Sequence, residues 1–268
     1  MDEVALADRR TPMMNPVLKA FAVSFSIYLI SVPGFSYLAK VFPSFRAAGS
    51  GFFIYAGRLL ILITSVFIFY THKFSTVFSF LGMKRLSIKT LLAGLTPSLP
   101  FILSWIGGSI ALDVPVRFSV SSVLMLFLGF IGPGLYEEGL FRGLLFKEIL
   151  HTCKWQLAAL YTGIFFGPAH LANLLVGHNI REIIISTAAG FVMSFPIGYI
   201  FFKMRGNLWP CVFFHFFVAG SMDALISEEL IKAQLGAISV VATTGLVLSL
   251  ILVFILFKNK RFVGFLLS

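Results

Sequence analysis

Runs of about 20 predominantly apolar residues recur along this chain, each long enough to cross a bilayer as a helix. They fall near 17–42, 51–71, 89–112, 120–146, 155–176, 183–203, 208–226 and 237–257, and little of the sequence lies outside them. The pattern predicts an all-α, polytopic membrane protein, with about eight transmembrane helices around a polar intramembrane cavity. Composition agrees: 58% of residues are hydrophobic and 12% charged, where an ordinary soluble domain carries about 25% charged residues. Solenoid repeats, low-complexity tracts and Pro- or Gly-rich linkers are absent, so residues 1–268 are expected to form a single integral membrane domain.

The formal net charge is +10. A basic chain can signal a nucleic-acid partner, but here the basic residues sit in short segments between apolar runs, which is the mark of membrane orientation. Alternate segments hold Arg9 and Arg10; Lys73, Lys84, Arg85 and Lys89; Lys147 and Lys154; Lys203 and Arg205; and Lys258, Lys260 and Arg261, thirteen in all. The other side has only Lys40, Arg46, Arg117, Arg181 and Lys232. The bias predicts cytoplasmic termini and an even number of spans. With short loops and termini, the chain reads as a bacterial plasma-membrane protein.

Cys153 and Cys211 form no CxxC pair and read as buried bystanders. No cleavable signal peptide is expected, because residues 1–16 are polar and the following apolar run is longer than a signal h-region. Residues 74–88 fit an amphipathic interfacial linker and an ordinary loop equally well.

The fourth span breaks the apolar rule. Glu137-Glu138-Gly139-Leu140-Phe141-Arg142 places two carboxylates and a guanidinium inside the fourth run. An ionised side chain at the bilayer centre costs roughly 2.5–3.5 kcal/mol even on the lenient insertion scale, so such residues are candidates for function. On a helix Glu138 and Arg142 are i,i+4 neighbours and can pair, while Glu137 is turned by about 100° and projects elsewhere. A carboxylate left free in a poorly solvated cavity can serve as a general base. The bland alternative is a charge cluster that holds one end of the helix.

Later spans carry His170 and His215. At a rise of about 1.5 Å per residue, Glu137, His170 and His215 lie roughly 13, 22 and 10 Å from the cytoplasmic boundary, compatible with one cavity. Pro168 and Pro133 remove backbone donors beside these residues, and broken helices of this kind line protein-buried or water-filled cavities. Gly139 and Gly143 form a small-xxx-small face that admits a neighbouring helix.

The ordered set Glu-Glu-x-x-x-Arg at 137–142, Phe166-x-x-x-His170 followed by Asn173, and a later His215 resembles the CAAX protease and bacteriocin-processing (CPBP, or Abi) family of intramembrane endopeptidases. The matching motifs span about 120–220. The resemblance implies a cytosol-accessible cavity in which Glu137 activates water together with His170. His215 would then stabilise the oxyanion, with Glu138, Arg142 and Asn173 in support. It implies a peptide or protein-tail substrate at the lipid bilayer, and bacteriocin immunity or peptide maturation as the setting. Oligomeric state is open. One departure stands out: the family pattern places Asn or Asp four residues after the last histidine, and Ala219 stands there. Asp223 follows one turn later.

Two histidines and a glutamate also meet the ligand count of catalytic zinc. There is no His-Glu-x-x-His spacing and the ligands would come from three helices; the resemblance implies a metal-free glutamate protease, with zinc on Glu137, His170 and His215 as the alternative. Two other functional classes compete: a non-catalytic peptide-binding or immunity factor, favoured by Ala219, and a proton-coupled transporter. The transporter reading lacks an inverted repeat in the other half of the chain.

Overall fold

The computed structural model describes residues 15–41, 50–111, 113, 120–176, 179–220 and 235–268. Regular structure among them is entirely helical. Helix α1 covers Pro16–Val41, and α2 covers Ser50–Val66 before widening into a π-helical turn over Phe67–Thr71. A short α3, Phe74–Phe80, leads to α4, Ile88–Ala111. Helix α5 starts as Val120–Gly129, is π-helical over Phe130–Glu137 and again over Gly139–Phe146, and ends as Lys147–Leu150. Helix α6, Trp155–Ala169, tightens into a 3₁₀ segment over His170–Val176, and α7 is Ile180–Lys203. Helix α8, Trp209–His215, continues as a π-helical segment over Phe216–Gly220. Helices α9, Leu235–Lys258, and α10, Lys260–Leu267, close the chain.

Each predicted span overlaps one of these helices, and residues 221–226 of the seventh lie outside the described residues. Among the described residues, three stretches are long and apolar enough to cross a membrane outright: Ile54–Thr71, Ile88–Ala111 and Ile183–Lys203. Pro16–Val32, Trp209–Val218 and Thr243–Lys258 are shorter apolar helices. The protein is an all-helical integral membrane protein.

Local sequence explains the irregularities. Pro133 lies within the first wide stretch of α5, where an α-helical ladder would lose a donor. Pro168 stands two residues before α6 changes to its tighter form. Asn179 and Asn259 cap α7 and α10, their side chains accepting from backbone N–H groups two or three residues on. Helix α10 was not expected from the sequence: its eight residues are too few for a span, and only the Asn259 cap marks its start. Residues 74–88 divide into α3, with Val77 buried and Phe74 and Phe78 exposed, and an irregular connection.

Helix α5 is the axis of the bundle, packing against α1, α2, α6, α7 and α8. Every residue of Gly139–Phe146 is buried, the charged Arg142 included. Its small residues admit neighbours, though not one helix along both. A Cβ on Gly139 would fall 2.9 Å from the Leu62 side chain of α2, and one on Gly143 would fall 2.6 Å from the Leu81 carbonyl in the turn after α3.

Basic side chains tie several helix ends into one rim. Lys19 donates to the Phe69 carbonyl, Lys147 to Phe80 and Lys84 to Arg205, while Trp209 Nε1 donates to the Lys84 carbonyl. Lys89 reaches Ser268 at the end of α10. The starts of α1, α4 and α8 and the ends of α2, α5 and α7 therefore share one side.

Candidate active site

The adjacent acids of α5 point to different surroundings. Glu138 has a fully buried side chain and pairs with Arg142 one turn on, Oε1 to Nη1 at 3.1 Å, as the spacing predicts. The same Oε1 lies 2.6 Å from His215 Nδ1 on α8. With Glu138 ionised, Nδ1 carries the proton and donates it, which fixes the imidazole's orientation and turns Nε2 toward Glu137. His215 Nε2 and Glu137 Oε2 are 4.0 Å apart. Glu137 retains 23% exposure of its side chain, against 9% for His215 and none for Glu138 or Arg142. One acid is locked in a buried network, while its neighbour stays reachable.

Arg142 is held from three directions. It bonds Glu138, directs Nη2 toward Ser194 Oγ on α7 at 3.4 Å, and lies with its guanidinium 4.9 Å from the centre of the Phe166 ring. Among the described residues, Glu138 Oε2 and Arg142 Nε find no hydrogen-bond partner. Phe166 joins the two halves of the site: its ring is 5.2 Å from that of His170 and 5.9 Å from that of His215.

His170 opens the 3₁₀ segment after α6. Its Nδ1 is 3.1 Å from the Phe166 carbonyl and 3.2 Å from that of Gly167. Both partners only accept, so Nδ1 carries the proton and Nε2 is left as an acceptor. Gly190 on α7 makes room for the ring, since a Cβ there would fall 2.9 Å from His170 Cε1. Asn173 lies on the same 3₁₀ segment and Ala219 on the π-helical segment after His215; their side chains, and all of Asp223, lie outside the described residues.

The structure thus links Glu137, Glu138, Arg142 and His215 directly, and His170 through Phe166. Among the described residues no three His, Cys, Asp or Glu side chains converge to hold a metal ion. His215 Nδ1 is held by Glu138 and His170 Nδ1 by its own helix, which leaves Nε2 of each ring free.

Contacts from α1 were not legible in the sequence. The Tyr28 hydroxyl donates to the Ala169 carbonyl, immediately before His170, and Ser31 Oγ lies 2.5 Å from the Tyr136 hydroxyl, immediately before Glu137. Beside them, an apolar cleft of about 540 Å³ opens between α1 and α6, lined by Phe25, Tyr28, Leu29, Phe141, Phe165 and Pro168 among others. Phe141, on its floor, packs against Phe166 at 4.7 Å.

Residues 119–220 match the family model described as type II CAAX prenyl endopeptidase Rce1-like. Over that segment the chain is similar to CAAX proteases, consistent with the CPBP resemblance of its motifs. The match runs from the start of α5 through the π-helical end of α8 and includes every motif residue above. No curated protein matches the chain.

Proposed function

We propose that this protein is an intramembrane endopeptidase in which Glu137 and His170 activate a water molecule against a peptide bond. The observation that carries the reading is the division between adjacent acids: Glu138 is buried against Arg142 and His215, and Glu137 stays accessible beside His215 Nε2. In the proposed step, water attacks the scissile carbonyl as Glu137 accepts its proton, with His170 Nε2 orienting the water. His215, held at Nδ1 by Glu138, donates from Nε2 to the oxyanion when it carries both protons. Collapse of the tetrahedral intermediate breaks the C–N bond, and the proton on Glu137 passes to the leaving amine. Glu138, Arg142 and Asn173 are positioning residues in this scheme.

The proposed step uses no metal, and the chelator arm of the test below separates it from zinc on Glu137, His170 and His215. The substrate class is a peptide or protein tail; the apolar cleft between α1 and α6, within the range of about 300–1,000 Å³ usual for ligand sites, favours a tail with an apolar attachment. The rim that gathers Lys19, Lys84, Lys89 and Lys147 is proposed as the cytoplasmic face, with eight spans and both termini on that side. Incubating the purified protein and its Glu137→Ala form with a peptide library, with and without chelator, tests the whole reading. Cleavage that survives chelator and falls at least about 10²-fold in the variant is expected. Equal cleavage by both forms overturns it.

Ala219 supports a second reading, in which the same cavity holds a peptide without cutting it. Binding of library peptides with no product from the wild type selects that reading.

A further inference from the structure

Helix α2 carries a charge that the proposed mechanism does not use. Arg58 stands inside the apolar stretch Ile54–Thr71, a costly position for a group that never gives up its proton. Among the described residues no carboxylate comes within ion-pair distance of it, and its buried Nε has no acceptor. Its guanidinium lies 5.3 Å from the centre of the Tyr55 ring.

The packing of α2 on α5 sets the level of this cation. Tyr55 fills the space beside Gly132, and Leu62 the space beside Gly139. Arg58 falls between those two contacts and is therefore level with the residues just before Glu137. Arg58 and Glu137 also lie within electrostatic reach of the same two hydroxyls, those of Tyr28 and Tyr136. Among the described residues this cation has no ion-pair partner, and it stands near the proposed base, on the side of α5 that faces α1 and α2. His215 approaches Glu137 from α8.

A guanidinium presents a planar fork of N–H donors that fits a carboxylate bidentately. A partly shielded fork that pairs with no carboxylate among the described residues is suited to an anion that arrives from outside. We propose that Arg58 is a carboxylate-binding subsite that anchors the peptide substrate through its C-terminal α-carboxylate or an acidic side chain. The proposal rests on the endopeptidase reading, since it is that reading that puts a peptide in the cavity. It adds a specificity element from outside the segment 119–220 that matches the family.

The test uses full-length protein in nanodiscs and short fluorescent library peptides, each made as the free acid, as the C-terminal amide, and with Asp and Glu replaced by Asn and Gln. Affinity is read by anisotropy and turnover by product formation. The free acid, or the acidic-side-chain form, is expected to bind and react about a hundredfold better than its neutral counterpart. Arg58→Gln should erase that preference, and Arg58→Lys should keep part of it. Which neutral form loses affinity tells the two carboxylates apart. Unfolding midpoints of both variants guard against a folding defect.

An Arg58→Gln protein that loses acid and neutral peptides equally overturns the subsite, because the arginine then acts on Glu137 or on the fold. An unchanged preference also overturns it and leaves Arg58 as a partner of lipid headgroups. The two hypotheses fail separately. If the wild type binds acids preferentially and cuts nothing, the endopeptidase falls and the subsite stands; if it cuts acid and amide forms alike, the reverse holds.

Discussion

At the scale of single residues, the site separates a structural acid from an accessible one. Glu138 gives one oxygen to both Arg142 and His215, all three largely or wholly buried. Removing one member of a buried ion pair leaves the other charge uncompensated and costs about 3–5 kcal/mol. Glu138→Gln should therefore lower the unfolding midpoint in detergent clearly. Arg142→Met should do the same, and the double variant should lose less than the two single losses together, because neither charge is then stranded. Additive losses would show that the pair is not coupled. The Glu138–Arg142 half of this network was legible in the sequence because i,i+4 spacing on a helix is a local rule. The His215 half was not: the partners are separated by 77 positions, and only the packing of α8 on α5 brings them to 2.6 Å. Arg58 shows the same limit: it did not stand out from its apolar run in the sequence, and its neighbours appear only in the fold.

At the scale of elements, helix positions follow from apolar runs, whereas the π-helical stretches of α5 and the 3₁₀ end of α6 do not. Pro133 and Pro168 mark where the ladder must yield, but a proline does not say whether the helix widens or tightens. Close helix packing is the other property that sequence leaves open. Glycines look alike in sequence and differ in the fold. A Cβ on Gly94 of α4 would fall 2.6 Å from Phe213 Cβ, 2.7 Å from the Pro210 carbonyl oxygen and 2.8 Å from the Phe214 backbone nitrogen of α8. Backbone cannot swing aside as a side chain can. Gly94→Ala should cost about 1–3 kcal/mol through overpacking, more than the gain of about 1 kcal/mol that alanine brings to a helix interior. Gly264 on α10 has nothing within 4 Å of the same position, so Gly264→Ala should be neutral or stabilising by up to about 1 kcal/mol. Unfolding midpoints of the two variants should therefore move in opposite directions or at least differ clearly. Equal shifts would mean that α8 does not press on α4 at Gly94.

At the scale of the whole molecule, the family match covers residues 119–220, yet the site is held partly from outside that segment. Helix α1 reaches both chemistry-bearing helices: Tyr28 donates to the carbonyl just before His170, and Ser31 bonds the hydroxyl just before Glu137. These contacts fix the spacing between α5 and α6 at the level of the proposed base and imidazole. Each is a neutral hydrogen bond with a net worth of about 1 kcal/mol, so losing it should hardly unfold the protein. Misplacing a reacting group by about 1 Å, however, can cost about 10²-fold in rate. On the endopeptidase reading, the Tyr28→Phe, Ser31→Ala double variant should keep most of its unfolding midpoint while kcat falls about ten- to a hundredfold and KM stays within a few-fold. Steady-state kinetics on a peptide found in the library screen separate the cases. A loss confined to KM would assign α1 to substrate binding, as Tyr28 also lines the apolar cleft. A loss of midpoint without a kinetic effect in the surviving folded protein would make the clamp purely structural. The combination of intact stability and reduced kcat is what a helix acting as a spacer between two reacting groups requires.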